Sequence, residues 1–145
     1  MSVGRFCSRV VATTSPTENI RTAAQRMADH EVGTLVVVKG GGQAVGVLTD
    51  RDIALRCIAG RFDPGETSVG ELMSTPVHTV DQHTPTEEAV ARMADLGVRR
   101  LIVTSEDNRV VGILSLDDVL EQIVQQTGAV GRLLKQQKPG ILASC

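Results

Sequence analysis

Aromatic residues are almost missing from this chain: no Trp, no Tyr and two Phe among 145 residues. The core must therefore be aliphatic, and base stacking on aromatic rings is nearly excluded. Charge of one sign is missing too. Fifteen Lys and Arg stand against seventeen Asp and Glu, a net charge of −2, so there is no electrostatic footprint for nucleic acid. Cysteine is scarce. Cys7, Cys57 and Cys145 are an odd, widely spaced set that forms neither a disulfide framework nor paired metal ligands. That points to a reducing, cytoplasmic setting. No apolar run approaches the ~20 residues of a membrane helix. Met1 to Thr14 carries Arg5 and Arg9 without a continuous apolar stretch, unlike a secretory signal.

What the chain does have is a repeat. Arg26-Met27-Ala28-Asp29 returns as Arg92-Met93-Ala94-Asp95, and Val45-Gly46-Val47-Leu48-Thr49 returns as Val111-Gly112-Ile113-Leu114-Ser115. Both landmarks are 66 residues apart (92 − 26 and 111 − 45). No gap is needed from Val11/Val77 to Ile53/Val119. Two copies of one supersecondary unit usually need each other to bury a core.

Within the first copy, Val10–Thr13 reads as a short strand. Ile20, Ala23, Ala24, Met27 and Ala28 recur at helical spacing from about Asn19 to Asp29. The run Thr34–Val38 is a buried strand, Gly40-Gly41-Gly42 a hairpin turn and Ala44–Leu48 the returning strand. A helix over Arg51–Ala59 follows. The second copy repeats this strand–helix–strand–strand–helix order, with a last helix from Asp117. The expected organisation is a first repeat over 1–62, a linker over 63–75 with a short helical turn at Val69–Met73, a second repeat over 76–127 and a tail over 128–145. The tail renews an apolar signal at Val130, Leu133 and Leu134 and ends loosely around Lys138-Pro139-Gly140.

The end of the third strand carries the chemistry. Gly46–Asp52 and Gly112–Asp118 both read Gly-x-x-[Ser/Thr]-x-x-Asp. The Gly allows close approach of another backbone or a ligand. A hydroxyl at a strand-to-helix junction, with helix N-terminal amides, suits a phosphate. An Asp in the first helical turn can accept both hydroxyls of a ribose diol. The competing reading is structural: Thr49 and Ser115 as N-caps, with Asp52 and Asp118 closing capping boxes.

With these motifs, the strand order, Val98-Arg99-Arg100-Leu101-Ile102-Val103 and the segment Val69–Val77, the chain resembles a tandem pair of cystathionine β-synthase (CBS) domains, a Bateman module of the stand-alone type. The resemblance covers Val10 to about Gln126. It implies an α/β fold of two βαββα repeats, related by a pseudo-twofold axis and packed as one module. It also implies a non-catalytic sensor of an adenosine-containing ligand (AMP, ADP, ATP, NAD or S-adenosylmethionine) bound between the repeats. Asp52 and Asp118 would hold ribose. Thr49, Arg51, Arg99, Arg100 and Ser115 would face phosphate. Val11, Thr13, Thr14, Val32, Val77, His78 and Val98 would edge the adenine. Because Arg99 and Arg100 would reach the Asp52 cleft, that site ranks first for a phosphate-bearing ligand.

The resemblance further implies a homodimer, joined through the helices around Ala23–Met27 and Ala89–Met93 and those after Asp52 and Asp118. An unidentified downstream protein would read the bound state. A CBS scaffold without ligand, serving as a dimerising interaction module, is the alternative. No nucleophile–base pair and no metal-ligand spacing around His30, His78 or His83 points to an enzyme, a metal site or a catalytic cofactor.

Overall fold

The computed structural model describes residues 1–125, 128, 132–133 and 135–136. The expectations for Val130, Leu134, Lys138–Gly140 and Cys145 fall outside them. The chain folds as two compact units. The first, here the Asp52 unit, comprises Val10–Val77 with Asn108–Val110. The second, the Asp118 unit, takes Met1–Arg9, His78–Asp107 and the described residues from Val111 on.

The α/β class and the expected element order hold in both. The Asp52 unit runs β1 (Thr13–Thr14), α1 (Ile20–His30), β2 (Thr34–Lys39), β3 (Gln43–Thr49), then one turn of α2 (Asp50–Asp52) continued by a π-helix (Ile53–Ile58), and α3 (Val69–Leu72). The Asp118 unit has β4 (Thr79–Asp81), α4 (Thr86–Leu96), β5 (Arg100–Thr104), β6 (Val110–Ser115) and α5 (Leu116–Val124). Each unit carries a three-stranded sheet, ordered β1-β2-β3 and β4-β5-β6. The first pair of each is parallel, with a helix as crossover. Strands β2 and β3 form an antiparallel hairpin closed by Gly41 and Gly42, whose φ of 86° and 82° are left-handed conformations that glycine adopts without strain.

The first strand is shorter than expected. Val10 is 87% exposed, and Ala12 contributes only its carbonyl, accepting from Val36 N at 3.0 Å. The helix expected over Arg51–Ala59 is also different. After one α turn it widens to i→i−5 bonding, as in Ala59 N donating to Ala54 O at 2.9 Å. The widening turns Cys57 fully into the core, whereas its counterpart 66 residues on, Ile123 on the regular helix α5, is 58% exposed.

The cores match position by position. Ala23, Met27, Leu35, Val37 and Leu48 are buried in one unit, and Ala89, Met93, Leu101, Val103 and Leu114 in the other. The match also extends further back than Val11/Val77. Ser2-Val3-Gly4 and Ser68-Val69-Gly70 are the same three residues, again 66 apart. Val69 N donates to Glu18 O at 2.8 Å and Gly70 N to Pro16 O at 2.9 Å. Their counterparts do the same: Val3 N to Thr84 O at 3.0 Å and Gly4 N to Gln82 O at 2.9 Å. Val3 and Val69 are both fully buried. Each unit is thus completed by a leading segment: 2–8 for the Asp118 unit and 68–74 for the Asp52 unit. The stretch read from sequence as linker therefore contributes Val69 and Leu72 to a hydrophobic core.

Candidate functional site

Both motifs sit at the strand-to-helix junction, as expected, and both close capping boxes. Asp52 N donates to Thr49 Oγ1 at 3.0 Å, and Thr49 N returns a bond to Asp52 Oδ2 at 3.0 Å. Asp118 N donates to Ser115 Oγ at 3.1 Å, and Ser115 N to Asp118 Oδ2 at 3.1 Å. Each box satisfies two helix-end donors. It also fixes each carboxylate at the mouth of its junction, with one oxygen committed to the cap.

The motif glycines serve packing. A Cβ on Gly46 would meet Met73 Sδ at 2.5 Å, and one on Gly112 would meet Cys7 Sγ and Ser8 O, both at 2.7 Å. Met73 and Cys7 are equivalent residues of the two leading segments. Behind the glycines, Ser74 exchanges backbone bonds with Val47 (2.8 and 3.1 Å) and Ser8 with Ile113 (2.9 Å both ways). The leading segment is thereby laid along the motif strand, with its serine beside the motif Asp.

Around Asp52 the structure gathers residues that the sequence did not single out. Ser74 Oγ donates to Asp52 Oδ1 and Oδ2 at 3.5 and 3.4 Å. Arg56 Nε lies 3.7 Å from Asp52 Oδ1, and Arg56 Nη1 donates to Leu72 O at 3.0 Å. Around Asp118 there is a cavity of about 320 Å³, lined by Phe6, Ser8, Asp118, Glu121, Gln122 and Gln125. The 66-residue step could have found Ser8 and Ser74, since both follow the matched Ser-Val-Gly. Nothing in composition marks Arg56.

The remaining expected site residues are divided between the two units. Arg51, Arg99 and Arg100 are exposed. Val32 packs against the core of the Asp52 unit and Val98 against that of the Asp118 unit. Val11, Val77 and His78 are partly buried, and His78 O accepts from Ile102 N at 3.0 Å. Thr13 and Thr14 belong to a polar cluster. Thr14 Oγ1 donates to Glu18 Oε1 at 3.1 Å, and Arg26 grips both oxygens of Glu18 at 2.7 Å while donating to Thr13 O at 3.0 Å. The Arg26 fork holds the Glu18 carboxyl below the usual carboxylate range. Burial pushes the thiols of Cys7 and Cys57 up, which keeps them protonated and weakly nucleophilic. Among the described residues no three His, Cys, Asp or Glu side chains come together as a metal site. No described helix is long and apolar enough to cross a membrane.

The doubled junction decides the family. The CBS domain model matches twice, over residues 3–58 and 69–125, each match beginning within a leading segment. The chain belongs to the CBS domain family. Among its relatives, the CBS domain-containing protein YhcV of Bacillus subtilis is 43% identical over 109 residues, 75% of this chain and 76% of the relative. An uncharacterized protein of Methanopyrus kandleri is 34% identical over 121 residues; the match takes 83% of this chain but spans only 62% of that relative's length. Of the solved structures, Hypoxic Response Protein I with two coordinated zinc ions is 31% identical, with a TM-score of 0.73 over 83% of this chain and 97% of that one. A CBS domain pair in complex with 5′-methylthioadenosine and S-adenosyl-L-methionine shares the fold at a TM-score of 0.75 and 24% identity, over 87% of this chain and 98% of that one.

Proposed function

We propose that this CBS pair is a non-catalytic, cytoplasmic regulatory module that binds an adenosine-containing ligand and passes its bound state to a partner protein. The observation that carries the reading is the cavity beside Asp118. It is about 320 Å³, within the range of small-molecule sites, and one wall is the carboxylate that the motif holds at the junction. A carboxylate so placed can accept a ribose diol, and Phe6 offers an apolar surface for a base. That a pair of the same fold holds methylthioadenosine and S-adenosylmethionine supports the choice of ligand class.

In this reading Asp52 and Asp118 hold ribose. Thr49, Ser115, Arg51, Arg99 and Arg100 serve a phosphate where the ligand has one. Val11, Thr13, Thr14, Val32, Val77, His78 and Val98 edge the adenine. Binding acts on a partner only through its differential affinity for two conformations.

The test is a melting screen with AMP, ADP, ATP, NAD, S-adenosylmethionine and 5′-methylthioadenosine. A true ligand at ~100 times its dissociation constant adds about 2.7 kcal/mol of stability. A flat screen favours the second reading, a dimerising scaffold without ligand.

One observation supports self-association under either reading. Leu55, Ile58 and Phe62 are each more than half exposed (54, 61 and 54%), and Leu120 and Ile123 are 45 and 58% exposed on α5. Ala23, Met27, Ala89 and Met93 are turned into their own cores and are not available for it. A homodimer through the face of Leu55, Ile58 and Phe62 would cover the first of these groups. Light scattering at micromolar concentration tests it, and Phe62→Asp should weaken the dimer.

A further inference from the structure

A half-exposed guanidinium stands beside the Asp52 carboxylate without closing on it. We propose that Arg56 is the cation of the Asp52 site, and that this site takes an adenosine carrying an oxyanion rather than a neutral nucleoside. This deepens the adenosine-binding reading above and rests on it.

Arg56 is held from one side. Its Nη1 donates to Leu72 O at 3.0 Å and approaches Met73 O at 3.5 Å. Those carbonyls are fixed in turn. Leu72 is buried in the core, α3 is closed by the capping box of Ser68 and Glu71, and Ser74 exchanges backbone bonds with Val47 at 2.8 and 3.1 Å. The guanidinium is therefore oriented by the backbone before a ligand arrives. Much of the rotamer freedom of a long side chain is already lost, which lowers the cost of binding.

Its other edge is open. Nε and Nη2 together make the fork that takes two oxygens of a phosphate or carboxylate. Nε stands 3.7 Å from Asp52 Oδ1, beyond hydrogen-bond length, and among the described residues Nη2 has no partner. The Arg56 side chain is 48% exposed. The carboxylate is divided in the same way. Oδ2 takes the cap bond from Thr49 N at 3.0 Å, whereas Oδ1 has only Ser74 Oγ at 3.5 Å and Arg56 at 3.7 Å. One acceptor and one fork lie side by side, each without a close partner. An arginine that only braced the fold would close on the acid, as Arg26 closes on Glu18 at 2.7 Å in the same unit.

The two groups suit two parts of one ligand. A ribose hydroxyl can donate to Oδ1 while an oxyanion on the same molecule accepts from the fork. Asp52 alone would repel that oxyanion, and the neighbouring guanidinium offsets the repulsion. The oxyanion can be a ribose phosphate or the amino-acid carboxylate of S-adenosylmethionine, and separate probes distinguish the two.

Titration calorimetry of the full chain with adenosine, AMP and S-adenosylmethionine tests this. At least one charged probe should bind about tenfold or more tighter than adenosine. Asp52→Ala should weaken neutral and charged probes alike. Arg56→Gln should leave adenosine within about twofold and reduce the preference for the charged probe by about tenfold. If Arg56→Gln does not fold, Arg56→Lys decides. It keeps the charge but loses the fork, so the preference should still fall by about threefold with adenosine unchanged.

Equal losses for adenosine and the charged probe in the folded variant, as for a residue that only braces the junction, overturn the proposal. So does a preference left intact in that variant, or an Asp52→Ala without effect on any probe. Adenosine binding as tightly as both charged probes also overturns it, and leaves the adenosine reading standing. If none of the three binds the wild type, the adenosine reading falls and the proposal with it.

Discussion

The Asp52 and Asp118 units are two versions of one plan, and they differ mostly where packing does not constrain them. Ala23, Met27, Leu35, Val37 and Leu48 have identical, buried counterparts at every position. The capping boxes are duplicated, with Thr exchanged for Ser. Outside that frame the units part. One has a π-helix after its motif and the other a regular α5. One sets Arg56 against its carboxylate and the other has Gln122 beside a cavity. One ties β1 to α1 through Glu18 and Arg26, whereas the other has Thr84 where Glu18 stands. Core positions are bound by volume, since interiors are close-packed. The junction and helix surfaces are free to diverge, and there the two halves become chemically distinct.

The comparison breaks most sharply at the leading segments. Val3 and Val69 are fully buried at equivalent places. Aspartate at either one would put an unpaired charge into a core, at a cost of about 4 kcal/mol or more. Urea denaturation of Val3→Asp and Val69→Asp should give comparable losses. If Val3→Asp is nearly neutral while Val69→Asp unfolds the chain, residues 2–8 are not the structural counterpart of 68–74.

The motif glycines give the next largest effect and a difference between units. Alanine at Gly112 would press its Cβ on Ser8 O, a backbone atom fixed by its bond from Ile113 N at 2.9 Å. Alanine at Gly46 would press chiefly on the end of Met73, a flexible side chain that can swing away. Gly112→Ala should cost about 2–3 kcal/mol and Gly46→Ala about 1 kcal/mol. Denaturant midpoints at equal slope measure both. Equal costs would mean that the two leading segments are equally rigid.

Glu18 sharpens the electrostatic contrast. Hydrogen bonds from Arg26, the largest influence, lower its pKa on folding. A carboxyl lowered in this way stabilises the fold above its unfolded pKa, about 4.3, and that stability is lost as pH falls through the folded value. At neutral pH Glu18→Gln should cost about 1–2 kcal/mol, allowing for partial exposure of the pair. The gap between wild type and variant should close below about pH 4. A gap that persists unchanged into acid would show that the charge of Glu18 is not what stabilises the pair.

Much of this was legible in the sequence. The fixed 66-residue step gives the element order, the matched cores and both capping boxes. It also contains the leading segments, but Pro64, Gly65 and the turn-rich stretch before Ser68 read as a linker, and burial of Val69 leaves no periodic mark in so short a helix. The π-helix was hidden for a physical reason. Widening one turn changes which residues face the core without changing composition, so Arg51–Ala59 still reads as an α-helix. The role of Arg56 was hidden because it depends on Leu72 O and Met73 O, backbone atoms sixteen and seventeen residues away. Glu18 and Arg26 likewise meet only once the turn before α1 has folded.

The smallest effect isolates backbone geometry. Helices α1 and α4 both end in a left-handed residue at equivalent positions: Glu31 at φ 54° and ψ 43°, Gly97 at φ 67° and ψ 32°. At each end the cap N–H reaches back to the same two carbonyl positions, Ala28 and Met27 or Ala94 and Met93. The motif is the same, but only one unit uses the residue that adopts it freely. A Cβ at Gly97 would meet nothing within 4 Å, so Gly97→Ala is penalised by dihedral strain alone, about 1 kcal/mol. Glu31→Gly relieves that strain but adds freedom to the unfolded chain, leaving a gain of about 0.5 kcal/mol. Melting curves should therefore move by about 2–4 °C down for Gly97→Ala and by a degree or two up for Glu31→Gly. A fall for Glu31→Gly would mean that the glutamate side chain contributes more than its backbone costs, and that the two helix ends are not equivalent after all.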